Sequence, residues 1–219
     1  PSDWDQVTGS GAGIALLAGY GLGTVLLLAA VIPVLPARTL GLIPIAIIIN
    51  SVVGEIVGSI GLPLYLDSVG TVLVAALAGP VAGMATGALN NVVWGLLNPA
   101  ALPFAAGAAL VGWLAGVFIH RFNAFRNIGT VIGFGIVLGI VGGMVAAPVA
   151  AYVYGGTAGV GTGALVSLFR EMGGSLIASV TTQAFISDPV DKVIVMLVAY
   201  ATVKALPKRT VAAFAPQHA

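Results

Sequence analysis

Cysteine is absent from the 219 residues, which excludes disulfides and thiolate metal sites. Charge is also scarce: 7% of residues are Asp, Glu, Lys or Arg, where a soluble domain carries about 25%. Histidine occurs twice, at His120 and His218, so no histidine cluster points to a metal. There is no HExxH, GxSxG, P-loop or kinase motif, and the carboxylates are few and scattered. This argues against an enzyme and gives no reason to expect a cofactor. Without a nucleotide-binding motif the chain cannot drive transport by hydrolysis alone, so a transport role needs an ion gradient or a partner motor. The eight Lys and Arg form no basic stripe, which argues against nucleic acid.

What remains is apolar. Hydrophobic residues make up 59% of the chain, mean hydropathy is +1.11, and there are 31 glycines. Polar groups this sparse cannot cover a surface in water. Small residues at this density suit helices packed closely in lipid, where van der Waals contact replaces the hydrophobic effect between helices. The apolar runs are continuous and lack the alternation of a β-barrel. The expectation is an all-α, polytopic membrane protein.

A spanning helix needs about 20 mostly apolar residues. By that ruler the chain divides into seven predicted spans: 11–35, 40–62, 68–97, 99–119, 128–154, 164–186, and a last one ending near 206. Residues 1–10 and 210–219 are read as an extramembrane segment and a tail. Asp3 and Asp5 precede the first run, which has no basic flank, so it reads as a retained span and not a cleaved signal. Asn98 is placed to cap a helix starting at Pro99. "SDPVDK" reads as a helix start, with Asp188 before Pro189 and Asp191 at the positive end of the dipole. "GLPLYLDSVGT" (61–71) reads as an interfacial loop leading into the third span. There Asp67 either caps the helix at the Val69 or Gly70 amide or keeps a lone pair for something else.

Within the spans, Gly79, Gly83 and Gly87 recur every fourth residue, as do Gly135, Gly139 and Gly143, Gly112 with Gly116, and Gly54 with Gly58. Such rows form flat grooves for close helix packing, and they also suit a surface that docks and releases a partner helix. Polar residues inside spans must be satisfied by protein or water. Asn90, Trp94 and Asn98 share one helix face and offer amides beside a stacking surface. They fit a planar polar molecule, or equally neighbouring helices and the interfacial belt. On the sixth predicted span Ser167, Glu171, Ser175, Ser179 and Gln183 form a polar seam with Arg170 beside it. The seam is expected to line a cavity; the alternative is an Arg170–Glu171 pair with hydroxyls bonded back to the helix. Glu55 has three options: Arg170, a cationic ligand group, or the membrane surface.

The run "LPLYLDSVGTVLVAALAGPVAGMATGALNNVVWGLLNPAALPF" joins a "LPLYLD" loop, a helix with GPxxG, an Asn-rich end and NPxALPF. Together with "APVAAYVYGG" and "SDPVDKVIVMLVAY" through "ALPKR", it resembles the S component of energy-coupling factor (ECF) transporters, in the group with no assigned vitamin. The similarity covers roughly 40–209. The resemblance implies a six-helix core over the second to seventh spans, with 11–35 as an extra N-terminal helix, in a multi-pass protein of a prokaryotic cytoplasmic membrane. It implies capture of a vitamin-like small molecule, and partners in the form of a transmembrane coupling protein and two ATPase subunits. The loop 61–67 would be a lid, with Tyr65 and Asp67 closing over ligand held by Asn90, Trp94, Asn98 and the Glu171–Gln183 seam. Partner docking in the family uses small-xxx-small pairs, for which Ala37 with Gly41 and Gly54 with Gly58 are the matches, beside the Gly79, Gly83 and Gly87 row. Neither pair has the Ala-xxx-Ala form.

Seven spans place Arg38 with Lys204, Lys208 and Arg209 on one side, and Arg121, Arg126 and Lys192 on the other. Four against three decides no orientation under the positive-inside rule; the resemblance puts the C-terminus in the cytoplasm and "HRFNAFRN" outside. Two other functions fit the same sequence: a gradient-driven secondary transporter using Glu55 or Glu171, and a structural or sensory subunit of a larger membrane complex.

Overall fold

The computed structural model describes residues 10–156 and 160–215. Asp3, Asp5, His218 and part of the stretch between the fifth and sixth predicted spans lie outside them. The described residues are helical throughout, without strands. The α-helices are α1 (Gly11–Val31), α2 (Ala37–Leu40), α3 (Leu42–Ser59), α4 (Val69–Ala78), α5 (Pro80–Trp94), α6 (Ala105–Arg121), α7 (Ile128–Tyr152), α8 (Val160–Glu171), α9 (Leu176–Ala205) and α10 (Lys208–Phe214). Four segments are long and apolar enough to cross a membrane: Gly11–Val34, Ala37–Ser59, Pro99–Arg121 and Ile128–Tyr152.

Local sequence accounts for most boundaries. Ser10 caps α1 by accepting from the Gly13 amide at 3.2 Å. Asn127 and Thr130 form a reciprocal capping box at the start of α7. Asn98 is a cap as expected, but of a 3-10 turn, Pro99–Phe104, that precedes α6.

Two predicted spans break where the sequence reading ran them through. The third, 68–97, is split at Gly79, whose φ of 91° lies in the region that favours glycine, with Pro80 opening the next helix. The two halves fold back on each other, so that a Cβ added at Gly83 would lie 2.5 Å from Ala75 Cβ. At 10 and 15 residues, α4 and α5 are about 15 and 22 Å long, each short of a ~30 Å hydrocarbon core. Gly79 is therefore a turn and not part of a docking row. Gly83 and Gly87 face inward, where added Cβ atoms would collide with the backbone at Gly112 and Ala108 of α6. Neither is on an outward surface, which corrects their expected partner-docking role. Gly54 packs on Asp67, and Gly58 has open space around it. Ala37 and Gly41 are exposed.

The second break falls at the sixth span. Helix α8 ends at Glu171, Gly173 turns the chain at φ 92°, and Ser175 caps a new helix by accepting from the Ala178 amide. That helix, α9, runs 30 residues without a stop. "SDPVDK" thus lies in its middle and starts nothing. Pro189 lies inside it, packed on Gly139 of α7, where an added Cβ would meet the Pro189 backbone.

These changes alter the charge map. The extra reversal at Gly79 brings the α6–α7 turn to the same end as the α1–α3 connection. At that end Gly116 lies on Pro80, Leu42 and Ala78 pack on one buried cluster of Ala46, Val74 and Ala82, and Phe125 meets Tyr200 edge to face at 5.5 Å between centroids. Arg38, Arg121, Arg126, Lys204, Lys208 and Arg209 are all exposed there, while Lys192 is buried in α9. The four-against-three division is overturned. Glu55, Arg170 and Glu171 belong to the opposite end.

Helix α1 packs against α5, α6 and α7, and leaves Ile14, Leu22, Val25 and Leu26 exposed, as a lipid-facing helix would. The main core runs through Val72, Ala75, Val131, Leu138, Val195 and Met196.

Gly112→Leu should lower stability by about 1–3 kcal/mol or more, because the added side chain meets Gly83 backbone and Thr71. Gly58→Ala, with open space, should leave the melting temperature unchanged or slightly raised. Thermal unfolding of both variants in detergent checks the pair.

Candidate functional site

The hollows of the bundle lie in the half away from the basic end. The larger is a cavity of about 230 Å³ and the second of about 200 Å³. Tyr65, Asp67, Asn90, Asn91, Trp94 and Asn98 border both, so this set forms the wall between them.

The loop 60–68 is the first wall. It is held by main-chain groups: the Tyr65 and Leu66 amides both donate to Asp191 Oδ1, at 2.8 and 2.7 Å. Leu66 takes a φ of 47°, a left-handed conformation unusual for a non-glycine residue. Such backbone persists where its surroundings fix it, and the twin bonds to Asp191 do so here. The Tyr65 hydroxyl donates to Thr162 Oγ1 of α8 at 3.1 Å, which joins the loop to a third element.

Asp67 does not cap α4. That service comes from α3: Asn50 Oδ1 accepts from the Gly70 amide at 2.6 Å, and Asn50 Nδ2 donates to Thr71 Oγ1 at 2.9 Å. The capping expectation for Asp67 is therefore corrected, and its carboxyl lines both hollows. Burial raises this loop carboxyl above the ordinary carboxylate range, and the Lys192 ammonium opposes the shift. Burial likewise raises the Tyr65 phenol, with the Thr162 contact opposing.

The opposite wall is α9. Asp188 and Lys192 line the larger cavity, together with Gln183 earlier on the same helix. Asp191 lies behind them with no exposed surface, paired to the Lys192 ammonium. The sequence reading took Asp188 and Asp191 for a helix start and counted Lys192 among the charges on one side of the membrane, so it missed all three as site residues. The missed signal is their spacing: 188, 191 and 192 fall on one helical face, which a continuous α9 turns inward.

The third wall is α5, with Asn90, Asn91 and Trp94, extended by Asn98 and Phe104. Asn90 is 6% exposed and Gln183 5%. Asn90 Oδ1, Gln183 Nε2 and Ser68 Oγ have no hydrogen-bond partner in the protein, although all three residues line the larger cavity. Tyr20 of α1 also reaches it, held by a 3.0 Å bond from its hydroxyl to the Val145 carbonyl. The N-terminal helix thus supplies a site residue that the sequence reading did not single out.

The ten residues expected to bind substrate divide accordingly. Tyr65, Asp67, Asn90, Trp94, Asn98 and Gln183 come together around the larger cavity. Glu55 borders only the second. Arg170, Glu171 and Ser175 border neither. The polar seam fails because the turn at Gly173 interrupts the helix that would have aligned it, leaving Glu171 exposed and Ser175 as a cap. Among the described residues no three His, Cys, Asp or Glu converge as ligands for a metal ion.

In chemical terms the arrangement offers two carboxyls, an ammonium, unpartnered amides and aromatic faces inside an apolar bundle. It has the equipment to hold an amphipathic small molecule. No protein-family model, curated protein or solved structure matches the chain.

Removing the Asp191 carboxylate leaves Lys192 buried without its partner and frees the loop amides. Asp191→Ala should cost about 3–5 kcal/mol and make the 60–68 loop a site of limited proteolysis. A variant as stable and as protease-resistant as the parent would refute this role.

Proposed function

We propose that the chain is the substrate-capturing membrane subunit of an ECF-type importer, binding a vitamin-like small molecule that a coupling protein and two ATPase subunits then move inward. The observation that carries the reading is the larger cavity, lined from α1, α4, α5, α6, α7, α9 and the 60–68 loop, with buried Asn90 and Gln183 atoms left without protein partners. Polar and ionisable groups are costly at membrane depth and are kept where they line a ligand or ion path. The LPLYLD and NPxALPF motifs that carry the resemblance both fall on its walls. In this reading the six-helix core corresponds to the chain after α1, with α4 and α5 forming a folded-back pair.

Orientation follows from charge. Six exposed basic side chains at one end and Glu55, Glu171 and Arg170 at the other favour a cytoplasmic basic end under the positive-inside rule. The hollows then lie in the outer half, as capture from outside the cell requires. The absence of native cysteine makes this directly measurable. Arg126→Cys should be protected from a membrane-impermeant thiol reagent in intact cells, and Glu171→Cys should be labelled.

Affinity purification of the full chain in mild detergent tests the assignment itself. Two ATPase subunits and a membrane coupling protein at stoichiometric levels are expected. A gradient-driven transporter is the second reading, favoured by the ionisable Asp67, Asp188 and Lys192 in the cavity wall. It gains if the chain purifies without ATPases and its uptake collapses with the proton gradient.

A further inference from the structure

Charge in the larger cavity does not balance. Asp191 does not line the hollow and is paired to Lys192, its other oxygen taken by the Tyr65 and Leu66 amides. That pair is neutral as a unit. Asp67 and Asp188 remain, both lining the cavity, and no protein cation besides Lys192 lines it with them. Asp188 is 8% exposed. Three carboxyls share the one ammonium, so ionising Asp67 or Asp188 in this low-dielectric interior is costly, and a guest of opposite charge relieves that cost.

The rest of the wall narrows the guest further. Trp94, Tyr65, Tyr20 and Phe104 present aromatic surface, which attracts cations over the ring face and stacks on planar groups. Asn90 Oδ1 is an unpartnered acceptor and Gln183 Nε2 an unpartnered donor, both on residues more than nine-tenths buried. An inorganic ion would use neither the aromatic surface nor an amide donor, and the described residues offer no three-ligand metal cluster.

We infer that the larger cavity selects a small organic cation, a planar ring bearing a protonated or quaternary nitrogen, with the nitrogen between Asp67 and Asp188 and the ring among Trp94, Tyr65 and Phe104. Asn90 accepts from a ring N–H or amino group, and Gln183 donates to a ring nitrogen or carbonyl. The inference rests on the capture reading and gives its ligand a charge class.

Binding to the full chain in detergent tests it, with a matched set of indoles: tryptamine as cation, 3-ethylindole as neutral form and indole-3-propionate as anion. A panel of water-soluble vitamins and their ring precursors, spanning the same three charge states, runs alongside. Equilibrium dialysis should show cations bound at least tenfold more tightly than matched neutral compounds, with anions weakest. Asp188→Asn and, independently, Asp67→Asn should each reduce cation affinity about tenfold or more while sparing neutral compounds. If either variant fails to fold, the other still decides. Neutral or anionic compounds binding as well as cations, or both folded variants keeping full cation preference, would overturn the charge class and leave capture standing. No binding by any compound would overturn capture and this inference together.

Discussion

A carboxylate with no exposed surface, Asp191, sits in the middle of the longest helix and satisfies three donors at once: two main-chain amides of the 60–68 loop and the ammonium of Lys192. An isolated charge at this position would be prohibitive, and a charge paired with only one partner costly. With both kinds of partner it becomes the fixed point of the bundle. The loop is drawn down between α3, α4 and α9, Leu66 is kept in its left-handed conformation, and Tyr65 and Asp67 are delivered to the wall of the cavity. Because Asp191 occupies the ammonium, the carboxyls at Asp67 and Asp188 are left to face the hollow.

Small residues make the geometry around this point possible. Close approach of α5 to α6 depends on Gly83, Gly87 and Gly112, and that of α7 to α9 on Gly135, Gly139 and Gly143, each of which touches backbone or side chain of its neighbour where a Cβ would stand. The glycine rows read from the sequence are therefore intramolecular seams. They bring α5 and α9 near enough that amides on one and carboxyls on the other share a single cavity.

Helical class, membrane-compatible spans and much of the cavity wall were legible in the sequence, because long apolar runs and polar residues within them are local signals. Asn90, Trp94, Asn98 and Gln183 stand out in this way, Tyr65 and Asp67 through the resemblance of their loop, and all six border the larger cavity. What was not legible depended on helix continuity. Pro189 after an aspartate reads as a start, yet α9 runs through it, so Asp188, Asp191 and Lys192 went unnoticed. Gly79 reads as one member of a glycine row, yet its positive φ makes it a turn. Glu171 and Ser175 fit a helical period that the turn at Gly173 does not allow. The cap on α4 comes from Asn50, twenty residues upstream of Gly70, a pairing that no local pattern encodes.

The grip of Asp191 on the loop engages only peptide N–H groups. Any residue other than proline at positions 65 and 66 presents the same two hydrogens, so this one attachment does not read side chains, unlike the Tyr65–Thr162 bond and the left-handed backbone at Leu66. The tether and the cavity-facing chemistry are thus separable: mutation can rewrite the side chains that the loop shows to the cavity while the Asp191 anchor keeps the backbone in place.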